Sequence, residues 1–193
     1  MAVFRRRGFA RTSIRDLAEA TGLHPGSLYQ AYGSKEGLFA AAVTTYNELV
    51  VEHRVRTHLD EAEPPLRGID TFFASTFDDD GDDDSAADGP NPGCLLTNTA
   101  VEAHLLPGTS RDGVAAGLNL IEQGFQRVLE RARQAGQINP TAATDQLAAQ
   151  LLALYQGVLV LVRFGAPTTK LAAIVAHAVP AIIASGHHAE GST

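Results

Sequence analysis

Apolar residues along this chain recur three or four positions apart, in stretches closed by Gly, Pro, Ser or Thr, which is the spacing of helices with one buried face. The first such stretch holds Ile14, Leu17 and Ala18 behind Thr12 and Ser13, either of which suits a helix N-cap. Thr21-Gly22-Leu23 then reads as a turn, with Gly22 taking a positive φ and Leu23 folding back as an apolar anchor. Pro25 opens a second helix that runs to about Ala31 and turns Leu28 and Tyr32 inward. Gly33 ends it, and Ser34 caps a longer helix striped by Leu38, Phe39, Ala42, Val43 and Tyr46. After Pro64-Pro65 another helix carries Leu66, Ile69, Phe72, Phe73 and Phe77.

Four further helices are expected at 94–104, 111–134, 141–164 and 168–185. Their apolar sets are Leu95, Leu96 and Thr99; Val114, Leu118, Ile121, Phe125 and Val128; Leu147, Leu151, Leu154, Tyr155, Val158 and Val162; and Leu171, Ile174, Val175, Ala178 and Ile182. Pro180 should kink or loosen the last of them, and 186–193 should fray. The expected fold class is therefore all-α, with two unequal domains in 193 residues.

Composition agrees, since Ala, Leu and Val dominate, Trp is absent and aromatics are sparse. The net charge of -7 changes the picture once its distribution is considered. Residues 1–47 hold Arg5, Arg6, Arg7, Arg11, Arg15 and Lys35 against Asp16, Glu19 and Glu36, a balance of +3 that leaves -10 for the remainder. Seven aspartates between Asp78 and Asp88 supply most of that, in a Gly- and Pro-rich stretch, 78–92, expected to be a solvated acidic loop. A basic head on an acidic body is the charge plan of a DNA reader with a separate regulatory domain. The single Cys94 has no internal disulfide partner, and no secretory leader opens the sequence, so a cytoplasmic location is expected. The most apolar stretch, 147–162, is interrupted by Gln150 and Gln156 and is short for a bilayer span, so no membrane partner is expected.

Helix, Gly-containing turn and second helix within Ser13 to Tyr32 have the size of a helix-turn-helix, whose second helix enters the major groove. Position by position, RGFARTSIRDLAEATGLHPGSLYQAYGSKEGLF resembles the N-terminal domain of the TetR/AcrR repressors. The shared features are a Gly-aromatic pair (Gly8, Phe9), a Thr-Ser-Ile helix start, a Gly-Leu turn, Gly-Ser-Leu-Tyr in the recognition helix, and then an aromatic, Gly, Ser, Lys, Glu and Leu. The resemblance implies a three-helix DNA-binding domain at 1–47 and a helical regulatory and dimerisation domain at 48–193. It also departs from the family pattern. Only the end of the first helix is present, Met1 to Arg7, with Val3 and Phe4 as its core contacts, and the expectation is that the working protein starts upstream.

Groove geometry assigns roles. His24, Pro25, Gly26 and Ser27 at the start of the recognition helix, with Gln30 one turn on, can approach base edges. Tyr29, Lys35 and Thr12 are the expected phosphate contacts, with Arg15 and Arg11 adding positive charge. The resemblance further implies a homodimer through 141–164 and 168–185, in which Ala148, Ala149, Gly157 and Ala173 allow close helix approach. It implies an apolar effector pocket as well, for which Phe72, Phe73, Phe77, Leu118, Ile121, Phe125, Tyr155 and Leu159 are the candidate lining. Gly93 to Glu102 resembles a Gly-Cys-Leu segment of one branch of the family, in which some members sense electrophiles or oxidants, so Cys94 is a candidate sensor.

The expected function is a DNA-binding repressor released from an inverted-repeat operator by a small apolar or electrophilic molecule, with no cofactor and no metal site. Two other readings remain. One is a helical interaction or ligand-binding module with impaired DNA binding. The other is a Cys94-dependent enzyme, which would need a His base nearer than His104, almost three turns along the expected helix.

Overall fold

The computed structural model describes residues 1–77, 91–106 and 108–186, and these are helical without strands. The acidic loop lies outside the described residues except for Asn91 and Pro92, as does the tail beyond Gly186. In chain order the elements are α1 (Ala2–Arg7), α2 (Ile14–Thr21), α3 (Pro25–Tyr32) and α4 (Lys35–Tyr46). Then come two wider π-helical stretches, Asn47–Val51 and Val55–Asp60, flanking the single turn α5 (Glu52–Arg54). After them come α6 (Pro65–Ala74), α7 (Leu95–Ala100), a 3-10 turn at Ala103–Leu105, α8 (Gly108–Gln134), α9 (Thr144–Phe164) and α10 (Thr168–Ser185).

The chain forms two compact units, one of Met1–Val51 with Pro92–Leu118, the other of Glu52–Asn91 with Asn119–Thr193. In the first, the Phe4 and Phe9 rings pack on Phe39 at centroid distances of 4.8 and 5.0 Å, beside buried Leu17, Ala18 and Leu28. Farther along α4, Val43 and Tyr46 join Leu95, Leu96 and Val114 in the core. The start of α8 approaches closely because Gly117 has no side chain; a Cβ there would strike Asn47 Oδ1 and Leu96 Cδ1.

In the second unit Phe72, Phe73, Phe125 and Tyr155 form one buried cluster, with Phe72 5.0 Å from Tyr155 and 5.2 Å from Phe125. Edge and tilted ring contacts of this kind are each worth about 0.5–1.5 kcal/mol beyond area burial. Two arginines of α8 fix the chain leading into α6. Arg127 grips Asp60 with two bonds of 2.9 and 3.0 Å, while Arg131 donates to the carbonyls of Leu59, Asp60 and Ala62 and to Glu63.

Several expectations are corrected by local hydrogen bonding. The helix expected at 94–104 covers only Leu95–Ala100, because the Glu102 and Leu105 amides donate three residues back, to Thr99 and Glu102, and tighten the chain. His104 thus lies in a separate 3-10 turn, not on the Cys94 helix. α9 starts at Thr144, not Thr141, because Asn139 Oδ1 accepts from both the amide and hydroxyl of Thr141 and holds that stretch as a turn. α6 stops before Phe77, and α8 starts three residues before Arg111. Leu23, at 51 % exposure, is no anchor, and Tyr32 is exposed too, since Phe4, Phe9, Leu17, Ala18, Leu28 and Phe39 already fill the head's interior. By length and apolarity α9 and α10 both reach the size of a bilayer span, unlike the shorter stretch weighed in the sequence. α9 nevertheless turns Leu147, Leu151, Tyr155, Val158 and Val162 into its own unit, as a core helix does.

Candidate DNA-binding interface

The head is built from caps. Ser13 and Asp16 form a reciprocal capping box at α2: the Asp16 amide donates to Ser13 Oγ, and the Ser13 amide donates to Asp16 Oδ2 at 2.8 Å. The Ser13 hydrogen bonds are the main cause holding the Asp16 carboxyl below its ordinary value, aided by Arg7 at 2.7 Å. Gly22 closes α2 in the left-handed conformation, φ 68, and so turns the chain into α3. Pro25 occupies the first position of α3, where a missing N–H costs nothing, and His24 Nδ1 accepts from the Gly26 amide at 3.2 Å. Ser34 then caps α4 through the Gly37 amide.

This arrangement buries Leu28 and leaves His24, Gly26, Ser27, Tyr29 and Gln30 exposed, with Pro25 half-buried. The expected base-reading residues at the start of α3 are therefore open to solvent, Pro25 only in part. Lys35 is near them in sequence but partly committed: its Nζ donates to the Phe9 carbonyl at 3.1 Å and sits 4.2 Å from the Phe9 ring centroid. An ammonium has three protons, so this contact leaves donors for a phosphate while fixing the head's position. Arg15 and Arg11 are exposed.

Thr12 departs from the role given it. Its side chain is 2 % exposed, and its hydroxyl donates to the Gly8 carbonyl at 2.6 Å, so it stitches the turn between α1 and α2. Sequence reasoning missed the residues that fix this turn from elsewhere in the chain. Glu102 accepts from the Phe9 and Ala10 amides at 2.9 and 3.1 Å, and Asn98 Nδ2 donates to the Arg5 carbonyl at 3.0 Å. Arg5 donates to the Gly93 carbonyl. The signal available was an Asn and a Glu four apart on one helical side, but nothing local names their partners.

The candidate effector residues separate. Phe72, Phe73, Phe125 and Tyr155 come together, with Ile121 and Leu159 also buried, whereas Phe77 and Leu118 are only half-buried. Cys94 and Leu118 belong to the first compact unit, the others to the second. Cys94 is 5 % exposed, and the Tyr46 hydroxyl donates to its Sγ at 3.5 Å. Among the described residues no three His, Cys, Asp or Glu side chains converge as a metal site.

Two family models match this chain: "Bacterial regulatory proteins, tetR family" over residues 1–42, and "Tetracyclin repressor-like, C-terminal domain" over 83–178. The chain belongs to the TetR family. It is a DNA-binding transcriptional repressor and not an enzyme. Among curated relatives, the HTH-type transcriptional repressor ComR of Escherichia coli is 27 % identical over 89 % of this chain and 79 % of its own length. The repressor DhaR of a Mycobacterium species is 29 % identical over 80 % of this chain and 74 % of its own length. Among solved TetR structures, a cysteine mutant of the regulator CifR complexed with 26-base-pair operator DNA superposes with a TM-score of 0.76 at 27 % identity, covering 93 % of this chain and 91 % of that one. Escherichia coli NemR in its reduced form shares the fold, with a TM-score of 0.78 at 19 % identity over 94 % of this chain and 91 % of its own.

Proposed function

We propose that this TetR-family chain works in the cytoplasm as a homodimer that binds an inverted-repeat operator and is released by a small apolar or electrophilic effector. The observation that carries the reading is the exposure of α3 and its N-cap: His24, Gly26, Ser27, Tyr29 and Gln30 stand open to solvent while Leu28 is buried. Residues 1–47 act as the DNA-binding domain and 48–193 as the regulatory one. Gln30 suits adenine, and Ser27 accommodates either purine or pyrimidine partners. Tyr29, Lys35, Arg15 and the first-turn amides of α2 contact phosphates.

Dimerisation through 141–164 and 168–185 is supported by what α9 leaves uncovered. Ala149, Ala153, Gly157, Val160 and Phe164 recur three or four apart and are exposed, Phe164 at 85 %. On α10, Ala173, Ala176, Pro180 and Ala184 are exposed in the same rhythm. Such small residues permit close helix approach, although Ala148, counted with them in the sequence, is buried within its own unit.

An apolar effector would take its contacts from the Phe72, Phe73, Phe125 and Tyr155 cluster of the second unit, whereas an electrophilic one would react at Cys94 of the first. An adduct on Cys94 would crowd the Tyr46 hydroxyl in a filled core, which costs packing energy and favours another state of the head. Footprinting on the DNA upstream of the protein's own coding sequence tests the reading. Symmetric protection that is lost after N-ethylmaleimide treatment of the wild type, but not of Cys94→Ser, supports the operator and the electrophile alike. Absence of any symmetric, salt-sensitive protection sinks it.

A further inference from the structure

Within the first compact unit, a chain of contacts runs from the Pro92–Leu106 segment to the phosphate-binding side of the head. It begins at Glu102, whose Oε2 accepts from two consecutive amides, Phe9 at 2.9 Å and Ala10 at 3.1 Å. These amides lie in the turn between α1 and α2, and that of buried Phe9 needs an acceptor from the protein. Gly8, at φ 77, leaves room for the carboxylate; a Cβ there would collide with Glu102 Oε1. On the other side of the same residue, the Phe9 carbonyl accepts from Lys35 Nζ at 3.1 Å, and the Phe9 ring lies under that ammonium. Asn98 on α7, four residues before Glu102, braces the start of the path by donating to the Arg5 and Pro92 carbonyls.

We propose that Glu102 is a positioning residue for operator binding: it fixes the Gly8–Ala10 turn and, through Phe9, holds the Lys35 ammonium where a phosphate is met. The proposal rests on the phosphate role of Lys35. It makes a prediction opposite in sign to plain electrostatics. An acid that merely sits near DNA repels it, so removing its charge tightens binding; an acid that positions a cation weakens binding when its reach is lost, whatever its charge.

Two substitutions separate reach from charge. Glu102→Asp keeps the charge and loses one methylene of reach, whereas Glu102→Gln keeps the length and an oxygen able to accept from both amides. Full-length variants are titrated against a duplex selected from a random-sequence library by the wild type, at several salt concentrations, with thermal melts alongside. E102D should bind about tenfold more weakly, the size of a lost charge-assisted hydrogen bond. Its log–log salt slope should flatten by about 0.9 for each head, the loss of one phosphate contact. E102Q should stay within about threefold of wild type. Adding E102D to Lys35→Met should cost nothing further. E102D binding as wild type, E102Q binding tighter by more than about threefold, or full additivity of E102D with K35M each overturns the proposal. If E102D fails to fold, the direction of E102Q still decides. A K35M variant with a wild-type salt slope overturns the phosphate role of Lys35 itself, a failure distinct from a normally binding E102D.

Discussion

Ser13 shows how much a single side chain decides in a head of short helices. α2 has only eight residues, too few to hold as an isolated helix, so its cap carries a large share of its stability. Ser13→Ala should cost about 1 kcal/mol of stability, read as a lower melting temperature, with weaker operator binding following from a looser α2. The same box gives a pH dependence. The Asp16 carboxyl is held below its ordinary value of 3.8, so its contribution is present above that value and is lost as the pH falls below it. His58 acts in a different range. Burial first, then Arg54 and His53, lowers its pKa below 6.5, so the unfolded chain binds the proton before the folded one does. Stability should therefore decline as the pH falls from 6.5, and His58→Phe should flatten that part of the denaturation profile; an unchanged profile would mean His58 does not contribute. Ser13, Gly22, Pro25 and Ser34 were legible because caps and turns are local chemistry. Thr12 was not, because its partner, the Gly8 carbonyl, exists only once the turn has formed.

At the scale of elements, periodicity identified every long helix, and hydrogen bonds outside the periodic pattern moved the ends. The Asn139 side chain delays α9, and two amides bonding three residues back cut α7 to six residues. Hydrophobic spacing says nothing of either. It also treated Leu28 and Tyr32 alike, although α3 buries only the first and ends at the second. α3 itself yields a sharp prediction. Gln30 is exposed one turn beyond the helix start, so Gln30→Ala should lose about 1–3 kcal/mol of discrimination at one base pair per half-site. Its salt slope should not change, since no phosphate contact is removed; binding to a panel of single-substitution operators measures both. Glu102 was invisible at this scale too, because its function depends on two amides more than ninety positions away.

At the scale of the whole molecule, charge asymmetry and the extended N-terminal motif made DNA binding readable from the sequence, since both are properties of composition and local spacing. The grouping of Pro92–Leu118 with the head was not, because it depends on packing of distant segments. Dimerisation has its own check. Replacing Val160 and Phe164 together by Arg puts two charges into the exposed apolar rhythm of α9 without touching its buried side, so the variant should fold yet sediment as a monomer and lose cooperative operator binding. A dimer that persists in this variant would move the interface elsewhere.

Dimeric operator binding is decided by sedimentation of the full chain with a duplex selected by the wild type, at two salt concentrations and with one half-site then scrambled. A dimeric operator reader leaves two chains on the intact duplex, binds with an affinity that falls steeply with salt, and loses the stable complex when either half-site is scrambled. A single chain on each duplex, or binding indifferent to salt and to the half-site, would contradict it.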